Sequence, residues 1–141
     1  MLSVDTNILL YSLNNDCPEY AKASAFIDSI ATEEAVICEL VLVELYLLLR
    51  NPAVVARPLA SDAAAELCNA YRRNPAWRLV DGAPVMNEVW EMASRAPFAR
   101  RRIIDARLAL TLRHHGVTRF ATRNTKDFQG LGFDELLNPL A

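Results

Sequence analysis

The chain has 141 residues, is 52% hydrophobic and 23% charged, and carries a formal net charge of −2 with a pI near 5.7. That length suits one domain, residues 1–141, with a full two- or three-layer core. The charge excludes a protein that is basic all over, so any contact with nucleic acid must come from a local patch.

The first element is a short apolar run, Met1 to Val4, that reaches Asp5, then Thr6 and Asn7, then a second apolar run from Ile8. A buried parallel strand followed by a helix has this pattern. No basic residues precede the run and Asp5 interrupts it, which argues against a signal peptide. A helix is expected over Ile8–Leu13. Asp16 is the expected cap of a second helix, with Pro18 near its first turn and Tyr20, Ala23, Phe26, Ile27 and Ile30 as its apolar stripe. Ala35–Cys38 is a second strand. Glu39 to Arg50 is a strongly apolar helix that stops before Pro52. Its core, Leu40–Leu49, is too short to span a bilayer and contains Glu44, so it is expected to be a buried helix, with no membrane association.

Ser61 opens a further helix carrying Ala65, Leu67, Cys68 and Tyr71. Trp77–Val80 is a third strand, and a helix follows over Val85–Ala93. A long helix from Arg100 to His115 ends at Gly116, a residue suited to a left-handed terminator. Thr118–Thr122 is the fourth strand, and the tail with Gly130 and Gly132 is turn plus one short edge strand. Strands alternating with helices predict an α/β fold with a parallel sheet of four to five short strands, covered on both faces. Cys17, Cys38 and Cys68 form no Cys-x-x-Cys pair. They are expected as reduced, core-packed thiols of an intracellular protein.

Two acids fall where leucines belong. Glu44 shares a helical face with Leu40, Val41, Leu47 and Leu48, and Asp105 shares one with Leu108, Ala109 and Leu112. A lone buried carboxylate is neutralised, paired or bound to a metal. Either residue alone is explained by a structural ion pair. Together with Asp5 at the carboxyl end of a strand, where open α/β sheets bind ligands, they predict a convergent cluster of hard oxygen donors. Such a cluster suits Mg²⁺ or Mn²⁺. For Asp5 the competing explanation is a helix cap. The segment Thr122-Arg123-Asn124-Thr125-Lys126-Asp127-Phe128 opens at the same edge, and Thr122, Asn124 and Asp127 can supply oxygen there; an ordinary Asn turn explains it equally.

Arg100, Arg101, Arg102 and Arg107 lie close to Asp105 and form the best phosphate-attracting patch. The alternative is a solvated helix start paired to Glu88 or Glu91. Arg72, Arg73 and Arg78 are expected at the surface, and Trp77 and Trp90 in core or dimer packing in preference to base stacking. His114 and His115 sit at a helix C-terminus, where a cation is favourable, and are given no catalytic part.

Val4-Asp5-Thr6-Asn7, Val43-Glu44-Leu45, Asp105-Ala106-Arg107-Leu108-Ala109 and Thr122-Arg123-Asn124 resemble, in order and spacing, the motifs of the PIN domain, and most closely those of VapC-type toxins of bacterial toxin–antitoxin pairs. The resemblance implies a Rossmann-like three-layer α/β/α sandwich and a cytoplasmic ribonuclease that cuts RNA with Mg²⁺ or Mn²⁺, transfer RNA being the family-level expectation. It also implies a cognate VapB-like antitoxin and a homodimer. Asp5, Glu44 and Asp105 match its first three acids and would hold the metal. Thr6, Asn7, Thr122 and Asp127 would support them from behind. Asn124 stands where many PIN domains have a fourth acid, and an amide is the weaker ligand. Phe26, Tyr46 and Leu49 serve equally as antitoxin contacts or as core. Two rivals follow: a PIN-fold binding module without catalysis, kept open by Asn124, and a Rossmann-like phosphatase, whose second Asp is replaced here by Asn7.

Overall fold

Five short strands carry the architecture: β1 (Leu2–Val4), β2 (Ala35–Cys38), β3 (Trp77–Val80), β4 (Arg119–Ala121) and β5 (Glu135–Leu137). Seven helices connect and flank them: α1 (Thr6–Leu13), α2 (Tyr20–Ser29), α3 (Glu39–Leu49), α4 (Ser61–Arg73), α5 (Met86–Ala93), α6 (Arg102–His114) and α7 (Thr125–Phe128). This computed structural model describes residues 1–141.

All four ladders are parallel, in the order β3-β2-β1-β4-β5. Leu2 of β1 lies between Ala35 of β2 and Arg119 of β4. The chain therefore steps outward from β1 to β2 and β3, then returns to add β4 on the other side of β1. That reversal places the switch point of the sheet between β1 and β4, where the carboxyl ends open a crevice. The strands read as apolar runs because both faces are covered: Leu2, Val4, Val36, Ile37, Cys38, Phe120 and Ala121 are all buried. α1 packs on α2 and α3, and α3 on α4, while α5 packs on α6 and α6 on α7. These two groups make the outer layers of the expected three-layer α/β/α sandwich. Each aliphatic side chain sealed in the middle contributes about 1.5–3 kcal/mol relative to exposure.

Several local expectations are corrected. Asp16 does not cap the second helix, which begins later, at Tyr20, without a side-chain cap; its carboxylate instead accepts from Arg57 at 3.0 Å. Cys38 and Cys68 are buried but Cys17 is only half-buried, its thiol turned to the carbonyl of Asn14 at 3.0 Å. Trp77 is in the core, edge-on to Tyr71, whereas Trp90 is 60% exposed and is no core residue. α3 is not a buried helix. Val41, Leu42, Leu45 and Leu49 pack inward, while Val43 and Leu47 face solvent at 59% and 61% exposure. Leu49 is therefore core, and the apolar residues that α3 offers outward are Val43 and Leu47. α7 was not anticipated. It is one turn long, too short for periodicity to register, and it is held down by Phe128, whose ring packs 4.7 Å from that of Phe120 in β4.

Candidate active site

Asp5 follows β1 and opens α1, where it is the helix cap and also lines the cavity at the strand ends. Its Oδ1 accepts the N–H of Thr6 at 2.8 Å, the helix cap. Its Oδ2 accepts the Thr122 hydroxyl at 2.7 Å, 117 residues away at the end of β4. Thr122 is itself fixed, because its Oγ1 accepts the N–H of Asn124 at 3.0 Å. Thr6 and Thr122 are both fully buried. The two strand ends at the switch point are thus tied together by side chains. Asn7 joins the same edge, its Oδ1 accepting the N–H of Arg123 at 3.4 Å.

Glu44 reaches the pocket from α3, where the Thr6 hydroxyl donates to its Oε2 at 3.2 Å. It is exposed, contrary to the expectation of burial. The reason lies in α3: the flanking apolar residues Val43 and Leu47 are themselves at the surface, so an apolar neighbourhood in sequence is not a buried one. Asp105 enters half-buried from the first turn of α6. Asn124 and Asp127 approach from the N-cap and first turn of α7. Asp5, Asn7, Glu44, Asp105, Asn124 and Asp127 all line one cavity of ≈ 440 Å³.

The electrostatics of this cavity are one-sided. Burial raises Asp5 from 3.8 to about 6; the charges of Glu44 and Asp127 push the same way, and the bonds from Thr122 and Thr6 oppose them. Asp105 also rises to about 6, first through burial and then through Asp5, Asp127 and Glu44, with Arg102 pulling it down. The four acids that line the cavity outnumber its three cations, Arg101, Arg102 and Lys126, and none of these cations forms an ion pair with them. The carboxylates are not drawn into a closed ligand cage, but they are hard oxygen donors converging on one polar cavity with excess negative charge, and that donor set fits a divalent cation of the Mg²⁺ class.

Of the four arginines singled out in the sequence, Arg102 is engaged within the fold. It donates to the carbonyls of Asp127 at 2.9 Å and Gln129 at 2.8 Å, strapping α7 to the start of α6. Arg101 lines the acid cavity, and Arg107 lines a second, more apolar groove of ≈ 430 Å³ between α3 and α6. Neither Arg100, Arg101 nor Arg107 pairs with Glu88 or Glu91; Glu91 is taken by Arg95 at 2.5 Å. Arg72 pairs with Glu39 and Arg73 with Glu66 at the surface. Two residues escaped the sequence reading. Arg123 clasps the Tyr11 hydroxyl at 2.6 Å and Glu19 at 3.3 Å, and Lys126 lines the acid cavity. Both sit in the segment after β4, and their position beside Asn124 was the available signal.

An acid pocket at the switch point of a five-stranded parallel sheet defines a class. The chain belongs to the PIN-domain family, whose model matches residues 2–133, and with that the phosphatase alternative falls away. Among individual proteins, it is 57% identical over 141 residues to Ribonuclease VapC24 of Mycobacterium tuberculosis, covering 99% of this chain and 97% of that relative. Two solved structures share the fold: FitAcB from Neisseria gonorrhoeae, with TM-score 0.67, 23% identity and 99% and 98% of the two chains covered, and the sarcin-ricin-loop-cleaving toxin VapC20 of Mycobacterium tuberculosis, with TM-score 0.66, 19% identity and 85% and 87% covered.

Proposed function

We propose that this protein is a metal-dependent endoribonuclease, acting through a single catalytic domain, that hydrolyses RNA phosphodiester bonds as the toxin of a toxin–antitoxin pair. Full-length likeness to a VapC ribonuclease supports the ribonuclease and the toxin. The single observation that carries the chemistry is the gathering of Asp5, Glu44 and Asp105 in one cavity, none of them held in an ion pair.

Asp5 and Asp105 are the residues to hold Mg²⁺ or Mn²⁺, which when bound supplies an activated water and stabilises charge on the phosphate. Thr122 and Thr6 occupy one lone-pair direction on each Asp5 oxygen, so the carboxylate presents its remaining lone pairs in a fixed orientation. Glu44, pinned through Oε2 by Thr6, has Oε1 free to accept a hydrogen bond from the attacking water. Asn124 and Asp127 complete the rim from α7; Asp127 offers the charge that Asn124 lacks. Arg101 and Arg107, with Arg100 beside them, draw the RNA backbone to a cavity that is otherwise acidic. Partnership with a VapB-like antitoxin, assembly as a homodimer, action on transfer RNA and a cytoplasmic location belong to the same reading. No helix is long and apolar enough to cross a membrane.

The test is cleavage of a panel of structured RNAs by antitoxin-free protein with Mg²⁺, with Mn²⁺ and with EDTA, beside Asp5→Asn. Metal-dependent cutting that the variant loses is the expected result. Absence of cutting under every metal would return the binding module to favour, and cutting undiminished in EDTA would rule out the metal.

A further inference from the structure

The chain contains fifteen lysine and arginine residues. Eleven are engaged by a protein atom: a carboxylate, a carbonyl, a hydroxyl or, for Arg78, a thioether. The exceptions are Arg100, Arg101, Arg107 and Lys126. These free cations are not scattered. Lys126 lines the acid cavity, Arg101 lines both that cavity and the groove beside it, and Arg107 lines the groove. Arg100 adjoins Arg101.

The placement has a direction. Glu44, Leu48, Arg101, Ile104 and Leu108 line both spaces, so the acid cavity and the α3–α6 groove are continuous. Arg101 stands at the junction and Arg107 further along the groove. Lys126 lies on α7, in the part of the cavity that the groove does not share. A strand of RNA seated on the acids therefore meets Arg101 and Arg107 on one side; on the other, where Arg102 is occupied by the carbonyls of Asp127 and Gln129, the free cation is Lys126. α7 is a firm mount for such a contact: Phe128 anchors it to β4, and the Arg102 strap holds its carbonyls.

We propose that Lys126 holds a backbone phosphate of the RNA on the α7 side of the acid pocket, so that the strand is gripped on both sides of the bond to be cut. This rests on the ribonuclease reading above. Lys126 is a positioning residue for the substrate. A flexible ammonium suits a phosphate as a point charge and needs no bidentate geometry. It makes the same contact before and during reaction, so its loss should weaken binding without slowing the chemical step.

The experiment uses a fluorescent single-stranded RNA oligonucleotide of mixed sequence. Its affinity for Asp5→Asn protein, which binds without cutting, is measured against salt concentration with and without Lys126→Gln; Lys22→Gln, the other lysine, is the charge-matched control. Cleavage kinetics are measured in the otherwise unaltered protein. Lys126→Gln should lower affinity and raise KM about 10-fold with kcat little changed. The slope of log K against log salt should become shallower by about 0.7, the loss of one phosphate contact on a single strand. Lys126→Arg should recover most of the affinity, and Lys22→Gln should leave slope and KM alone. An unchanged salt slope, or a fall in kcat at constant KM, would overturn the inference while leaving the nuclease intact. Parent protein that neither binds nor cuts RNA would instead overturn the reading on which it rests.

Discussion

At the amino-terminal edge of the sheet, Arg119 of β4 lies between Glu33 and Glu135, at 3.1 and 2.9 Å. At the carboxyl-terminal edge of the same strands, Asp5, Glu44, Asp105 and Asp127 face one cavity, and one arginine of its lining, Arg102, turns its donors to backbone carbonyls. Both edges gather acids. One pairs its acids with a cation within hydrogen-bonding distance; the other holds its acids with threonine hydroxyls and pairs them with none of the cations that line the cavity. A balanced edge asks little of solution, whereas an unbalanced one gains stability from a proton or a bound cation. The contrast supports placing the proposed chemistry at the carboxyl-terminal edge.

The largest effect should come from Asp5→Asn. Cleavage should fall by more than about 100-fold, the upper range for groups that merely support a metal ligand, while the folded protein is retained because Asn still accepts from the Thr6 N–H through Oδ1 and its amide Nδ2 donates to the Thr122 hydroxyl. Near-normal cleavage would remove the carboxyl-terminal edge from the chemistry.

The unbalanced edge should also respond to pH. Asp5 and Asp105 rise from 3.8 to about 6 on folding. Between those values the folded protein holds more protons than the unfolded chain, so this contribution to stability is full below the unfolded value and is lost as pH rises through about 6. Metal-free protein should therefore melt at a lower temperature near about pH 7 than near about pH 5, and Mg²⁺ should raise the melting temperature more at the higher pH. Melting curves that ignore both variables would show that the acids do not share a site.

Arg102→Ala releases α7 and should reduce cleavage about 10-fold through displacement of Asn124 and Asp127, with a stability loss of about 1 kcal/mol. Arg102→Lys should rescue little, since one ammonium cannot serve both carbonyls in the geometry of the guanidinium fork. The smallest effect belongs to the balanced edge. Arg119→Met should barely move the melting temperature, because the pairs are solvent-exposed, and should leave cleavage unchanged. A marked loss of activity there would blur the distinction between the edges.

Sequence pattern carried the sheet well, because a strand buried on both faces leaves an unbroken apolar run such as Ala35–Cys38. It also placed Asp5, although as two competing roles; the structure satisfies both, since a carboxylate has one oxygen for the Thr6 N–H and another for Thr122. Glu44 was found for a reason that did not hold. Apolar neighbours signalled burial, yet Val43 and Leu47 are surface residues, and periodicity cannot tell apolar surface from apolar core. Arg102 was invisible as a strap because its partners are backbone carbonyls, which every residue possesses. Lys126 stood out only when its lack of a partner was combined with its place on the α7 side of the cavity, away from the unpartnered arginines of the groove.

The hydrogen bond from Thr122 to Asp5 spans 117 residues, and it sets a clock on the ribosome. β1 is made first but lies in the middle of the sheet, so it must wait for β4 before its outer side is paired. Asp5, Glu44 and Asp105 are all translated before the threonine that orients the first of them, and α7 comes later still. A nascent chain carries the three acids without the framework that aims them. The acid pocket is therefore complete only near the end of synthesis, once Thr122 and α7 have been made.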